Sequence, residues 1–366
     1  MKEKCLEDYL NKGEFPFDYE RQLLYGRNGF IEKILDGEIM PPLHFEILPT
    51  DKCNNKCIWC RGGHRALMVS DNELSEEVML RLMDELKDYG IHGIVRFSGM
   101  VGEPLVHKST LKTIKRGIDL GLKIGLITNG ILLVPNSHEY LRGITYVSVS
   151  LDAGRQETFN RLKGHNDDTF TRIIDNITQL ASFREQNGEK FRLTVGYVLH
   201  PYNIGDIEEA TKIVKSTGAD LIQFKLPLGG SFFRDYNTSK IEESLKRAKK
   251  YADNRFRVEL MQSDDERRDE FSRKKQKHDF PRCYSQFING VVSSDGNVYP
   301  CVHYNYQQGV SSNSFGNIYK QTFKEIWEGE KRRRTLKQIN PSRDCRLCNR
   351  YDNRVNRFIN FISSNK

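Results

Sequence analysis

The stretch C-N-N-K-C-I-W-C, Cys53 to Cys60, sets three thiols in a C-x3-C-x2-C spacing directly behind an apolar run, His44 to Leu48. Three thiolates this close can hold three corners of a cubic iron–sulfur cluster, leaving the fourth iron without a protein ligand. An open iron can bind a small chelating molecule. The spacing therefore points to reaction chemistry rather than to a purely structural or electron-carrying cluster. Zinc is the competing reading. It takes four ligands, usually with cysteines in paired C-x2-C arrangement, and His64 could serve as the fourth.

Outward from this loop, short β-branched runs alternate with amphipathic segments. The runs are His44–Leu48, Gly93–Phe97, Lys123–Thr128, Tyr146–Leu151, Arg192–Leu199 and Asp220–Lys225. Between them, Ser75–Tyr89 repeats apolar residues at helical spacing (Val78, Leu82, Met83, Leu86), and Phe170–Phe183 and Glu208–Thr217 read the same way. Strand–helix alternation implies a parallel sheet. Six units are too few for a closed eight-unit barrel. In such folds chemistry sits at the carboxyl ends of the strands, where the cysteine loop falls. The expected organisation is an N-terminal extension over 1–42 with a helix near Phe30–Leu35, an α/β unit over 43–228, a charged connector over 229–280 with one helix at Ile241–Tyr251, a cysteine-bearing unit over 281–350, and a tail over 351–366.

The loops behind the runs carry further signals. S-G-M-V-G-E-P-L-V-H, Ser98 to His107, has glycines that permit tight turns and close backbone approach. T-N-G follows at Thr128 to Gly130, and S-L-D at Ser150 to Asp152. Taken with the triple cysteine, their order resembles the radical S-adenosylmethionine (radical SAM) superfamily, over about residues 40 to 228. The resemblance implies an open partial (β/α)6 barrel and a [4Fe–4S] cluster on Cys53, Cys57 and Cys60. Its open iron binds S-adenosylmethionine, whose reductive cleavage yields a 5′-deoxyadenosyl radical that abstracts hydrogen from substrate. The resemblance places Trp59 near the adenine and Gly102 and Glu103 at the cofactor's amino group. Asn129 then lines the pocket, and Ser150, with Asp152 beside it, lies at the carboxylate or ribose. Tyr197 and Val198 offer backbone contacts to adenine. Arg161 would be the cation for the methionine carboxylate, with Arg172 as competitor. Reduced flavodoxin or ferredoxin would be the electron donor.

A second set, Cys283, Cys301, Cys345 and Cys348, can enclose a metal completely; by spacing alone, zinc and iron–sulfur are equal. Between the first two lies I-N-G-V-V-S-S-D-G-N-V-Y-P-C, which reads as a hairpin turning at Asp295-Gly296. With F-G-N-I, K-E-I-W-E-G and C-R-L-C, it resembles the C-terminal auxiliary-cluster extension of the SPASM/Twitch group. SPASM members carry seven cysteines there. Four fit the Twitch form, with one fully ligated auxiliary [4Fe–4S] cluster, and the spacing is similar to that of 2-deoxy-scyllo-inosamine dehydrogenase. Full ligation implies electron transfer.

The remaining composition sets bounds. No run is long and apolar enough for a membrane span, and the charged start, Met1 to Asp8, does not read as a signal peptide. Clustered cysteines point to metal ligation in the reducing cytoplasm rather than to disulfides. The net charge of +8 gathers at Lys240–Arg282 and Lys331–Arg334 without interleaved aromatics, which argues against a nucleic-acid channel. The expected activity is oxidation of a small polar substrate, sugar-like or phosphorylated, with His200, Lys225 or Tyr197 as base. The alternative is peptide modification by crosslinking or epimerisation; epimerases of this type often use a thiol as hydrogen donor, and the only spare cysteine, Cys5, lies far in sequence from the barrel.

Overall fold

The structure, a computed structural model, describes residues 30–60, 70–226, 238–261, 278, 280–305, 314–345, 348 and 350–364. Cys5, His64 and residues 262–277 of the charged stretch before Arg282 lie outside them.

The six expected runs form β1 (His44–Ile47), β2 (Ile94–Phe97), β3 (Lys123–Thr128), β4 (Tyr146–Ser150), β5 (Arg192–Val198) and β6 (Leu221–Lys225). Each pairs in parallel with the next. Helices Glu76–Asp88, Thr110–Asp119, Thr169–Gln186 and Ile207–Ser216 cross between them. The connector adds more than its expected helix, which is Thr238–Lys249. Arg257–Leu260 forms β7, a further parallel strand beside β6.

The expected hairpin forms as β8 (Asn289–Val292) and β9 (Asn297–Tyr299), and β9 pairs antiparallel with β10 (Gly316–Asn317). It is not a separate layer. β8 pairs in parallel with β1, His44 opposite Asn289 and Ile47 opposite Val292. The sheet therefore runs β10-β9-β8-β1-β2-β3-β4-β5-β6-β7 and stays open.

Alternation along β1 decides what each face meets. Phe45 packs edge-on against Phe323 at 5.2 Å and Trp327 at 6.3 Å, both on helix Phe323–Trp327. The Trp327 indole donates to the Met40 carbonyl at 2.8 Å. Gly290 is required here, because a Cβ would come within 2.7 Å of the Trp327 ring. The intervening residue Glu46 faces the other way, toward Arg96 of β2 at 2.6 Å. No helix among the described residues is long and apolar enough to cross a membrane.

Candidate active site

The cysteine loop leaves the carboxyl end of β1 and is held by the segments that follow β2, β3 and β4. The Glu103 amide donates to the Lys52 carbonyl at 2.8 Å. Two glycines make this approach possible. A Cβ on Gly102 would stand 1.9 Å from the Thr50 carbonyl oxygen, and one on Gly99 would stand 1.8 Å from that of Gly102. Asn129 donates through Nδ2 to Asn54 at 2.6 Å, and His165 Nε2 lies 2.7 Å from Asn55 Oδ1. The Lys56 and Ile58 amides donate to the Lys163 and Leu162 carbonyls at 2.8 and 3.0 Å. These are last-turn carbonyls of helix Gln156–Lys163, which would otherwise lack partners.

Glu103 is buried and accepts three hydrogen bonds: Leu105 N at 3.1 Å, Thr128 Oγ1 at 2.6 Å and Asn129 N at 2.7 Å. Its side chain thus ties the G-E-P loop to the T-N-G loop. Burial raises its carboxyl to about 7 against the pull of those donors. Asn129 is equally occupied, its Oδ1 accepting from the Ile131 amide at 3.0 Å.

Beyond β4, Asp152 adopts φ +62°, the left-handed region that non-glycine residues rarely enter. Its carboxylate accepts from the Val198 amide at 2.5 Å and pairs with Lys163, both side chains being 3% exposed. Its carbonyl accepts from Asn203 Nδ2 at 2.8 Å. Lys163 Nζ also reaches the Ser150 carbonyl at 3.4 Å and sits 5.2 Å from the centre of the Trp59 ring. The Asp152 carboxylate and the nearby thiolates raise the Lys163 ammonium above its usual range despite burial. Its charge in turn favours the Cys57 thiolate, which burial disfavours.

Lys163 was not singled out from the sequence, and it is the buried cation here. Arg161 instead stacks on the exposed Tyr202 ring at 3.3 Å, and Arg172 pairs with Asp167 and Asp168 at 3.2 and 3.3 Å. Trp59 faces His200 with ring centres 5.7 Å apart. Tyr197 is set in the core, donating to the Asn203 carbonyl at 2.8 Å and packing on Phe224. Burial pushes its phenol well above the usual range, so Tyr197 is unsuited as a base.

The thiols form two neighbourhoods. The Cys53 thiol is pushed up to about 11 by burial, with Cys57, Cys60 and Glu103 adding repulsion. At the other site, burial raises Cys348 and repulsion from Cys283, Cys301 and Cys345 adds to it. Cys345 is pushed to about 12 by burial, then Cys283 and nearby acids. Among the described residues, no three metal-binding side chains yet close around one point. The ligand sets rest on mutual proximity and on spacing. Neighbouring thiols that repel when ionised fit a cationic iron core, which supplies the charge that keeps them as thiolates.

Two layers separate the neighbourhoods. A small apolar cluster, Leu48, Val291, Tyr299 and Val302 with Met100 against it, joins β1 to the hairpin. The Met100 carbonyl lies 4.0 Å from the Cys60 sulfur. The second layer is polar. Glu46 holds Arg96 and the Ser98 hydroxyl, and Asn289 donates to the buried Asp352. Burial, then the Glu46 charge, raises Asp352 to about 7. Burial and Arg96 lower His44 to about 3.

Comparison with known proteins agrees with this arrangement. Residues 47–214 match the family model of the radical SAM superfamily, and residues 283–349 match the SPASM iron–sulfur cluster-binding domain. The AdoMet-dependent heme synthase of Methanosarcina barkeri is 27% identical over 304 residues, covering 76% of this chain and 80% of that protein. The tungsten-containing aldehyde ferredoxin oxidoreductase cofactor-modifying protein of Pyrococcus furiosus is 25% identical over 311 residues, 80% of this chain and 82% of that one. Among solved structures, Streptococcus suis SuiB bound to S-adenosylmethionine superposes with a TM-score of 0.61 at 16% identity, covering 89% of this chain and 75% of its own. The cofactors are S-adenosylmethionine and iron–sulfur clusters. This chain belongs to the radical SAM superfamily, with the cysteine loop in its radical SAM domain and the four later cysteines in a C-terminal SPASM domain.

Proposed function

We propose that the chain is a radical SAM oxidoreductase that removes two electrons from a small polar substrate, sugar-like or phosphorylated, the SPASM-domain cluster accepting one of them. The observation that carries this reading is the pairing of β8 with β1. It places the four-cysteine unit on the strand that leads into the three-cysteine loop, which supports an electron path between the two sites. S-adenosylmethionine at the open cluster supplies the hydrogen-abstracting radical.

The chain's own residues hold and orient. Lys163 and Ser150 suit the cofactor's carboxylate end, Trp59 its adenine side, and Gly102 and Asn129 the loops between. Glu103 acts by locking two of those loops together. Lys225 and His200 remain candidates for taking the substrate's proton, and reduced flavodoxin or ferredoxin for supplying the reducing electron. Peptide modification keeps one support, the fold shared with SuiB, which binds the precursor peptide SuiA. At 15% identity that likeness carries the fold alone.

The test uses deuterated aminocyclitols and sugar phosphates with wild type and a Cys345→Ala, Cys348→Ala variant. Deuterium should appear in deoxyadenosine in both, with the oxidised product forming only in wild type. Oxidised product at the wild-type rate in a soluble, folded variant would end the acceptor role.

A further inference from the structure

Cys283 is the corner of the SPASM site where hydrogen-bond donors converge. Ser285 Oγ lies 3.3 Å from its sulfur, and Asn356 Nδ2 lies 3.7 Å from it. Asn356 is fully buried on helix Arg350–Ser364. Its amide has one possible orientation, because Oδ1 accepts from two backbone amides, Tyr284 N at 2.5 Å and Ser285 N at 2.9 Å. The NH2 group is thereby turned toward Cys283 and toward Ser285 Oγ, 3.4 Å away. Ser285 accepts from Asn356, which leaves its own proton to donate to the ligated sulfur, and each bond in such a chain strengthens the next.

We propose that Ser285 and Asn356 set the reduction potential of the SPASM-domain cluster through hydrogen bonds to the Cys283 sulfur. Reduction adds negative charge to a cluster and its thiolates. Donors aimed at a ligand sulfur stabilise that charge and make the cluster a better electron acceptor. The need for such donors is visible nearby. Asp352 is buried within Coulombic reach of all four cysteines and, when ionised, works against an arriving electron. The inference rests on the acceptor role given above. Ser285 and Asn356 act through Cys283 and are positioning residues.

The experiment is a redox titration of the reconstituted holoenzyme followed by electron paramagnetic resonance. The SPASM-domain signal is identified as the one that added S-adenosylmethionine does not alter. Ser285→Ala removes one donor and Ser285→Thr keeps it. Asn356→Asp keeps the oxygen that holds the Tyr284 and Ser285 amides, removes the NH2 and adds a carboxylate charge that also disfavours reduction, so the contrast of Ser285→Ala with Ser285→Thr isolates the hydrogen bond. Ser285→Ala and Asn356→Asp should each disfavour reduction about tenfold, a shift of about 59 mV downward for a one-electron couple. Ser285→Thr should stay at the wild-type value. An unchanged potential in loaded Ser285→Ala and Asn356→Asp overturns the proposal. So does loss of iron with a wild-type potential in the protein that remains loaded, which would mark both residues as purely structural. Failure of the acceptor reading looks different: the potentials shift as stated, yet oxidised product still forms at the wild-type rate in the Cys345, Cys348 variant.

Discussion

The Asp152–Lys163 pair allows charge, hydrogen bonding and backbone conformation to be separated at one position. Asp152→Asn keeps the side-chain volume, keeps an oxygen for the Val198 amide, and tolerates the left-handed backbone at φ +62°. The charge and the oxygen that accepts from Lys163 are lost together, which strands Lys163 in a site where its side chain is 3% exposed. Removing one partner of a buried pair costs about 3–5 kcal/mol. Asp152→Ala should cost roughly a further 2 kcal/mol, from an unpaired Val198 N–H and a left-handed alanine. The double variant Asp152→Asn, Lys163→Met leaves no buried charge and should recover most of the loss. Anaerobic urea titration followed by circular dichroism reads all four proteins. The sign with pH follows from the raised Lys163 ammonium. Its stabilisation is full below the unfolded value of 10.5 and fades only as pH rises through the higher folded value. Stripped of its partner, the buried Lys163 of Asp152→Asn loses the interaction that raises it and sheds its proton at lower pH. The gap to wild type should therefore be widest at about pH 6 and narrow toward about pH 9. An Asp152→Asn variant within about 0.5 kcal/mol of wild type, or a double variant no more stable than Asp152→Asn alone, would refute the reasoning.

Two other outcomes are expected. Gly102→Ala should abolish S-adenosylmethionine binding in calorimetry, because its Cβ has 1.9 Å to the Thr50 oxygen and the loop ahead of Cys53 must move; binding at wild-type affinity would contradict the packing described. Glu103 is raised from 4.5 to about 7, so the folded state keeps its proton longer and the contribution is lost as pH rises through that window. Glu103→Gln should gain on wild type by on the order of 3 kcal/mol between those values in urea titrations, and a pH-independent difference would sink the assignment.

The strands of the barrel were legible because β-branched runs buried in a parallel sheet repeat with clear helical segments between them. β7 was not, because R-V-E-L is short and half polar, and only its place beside β6 makes it a strand. The Asp295-Gly296 turn announced the hairpin, whereas its pairing with β1 depends on register across a long separation, which no local pattern encodes. At the site, the cysteine spacing and loop order were readable from residue type. Lys163 was passed over because a lysine in N-R-L-K-G reads as a solvated helix end. Its burial is made by Asp152 and the cysteine loop, both supplied by other elements. Arg161 looked the better cation by chemistry alone, yet it lies on Tyr202. The internal bonds of Glu103 could not be read either, since the loop it holds begins at a different strand.

The pairing of β8 with β1 also has a bearing on biosynthesis. As the chain leaves the ribosome, β1 emerges long before its partner, and its outer edge stays unsatisfied until Asn289–Val292 has been made, far down the chain. Contacts of such sequence separation form late and slowly. In the interval the nascent protein presents an open strand edge, a template for aggregation, beside three unmetallated thiols. Shortening the chain ahead of β8 should therefore yield insoluble material rather than a free-standing radical SAM domain, and cluster delivery to Cys53, Cys57 and Cys60 is best timed after the SPASM domain has closed the edge.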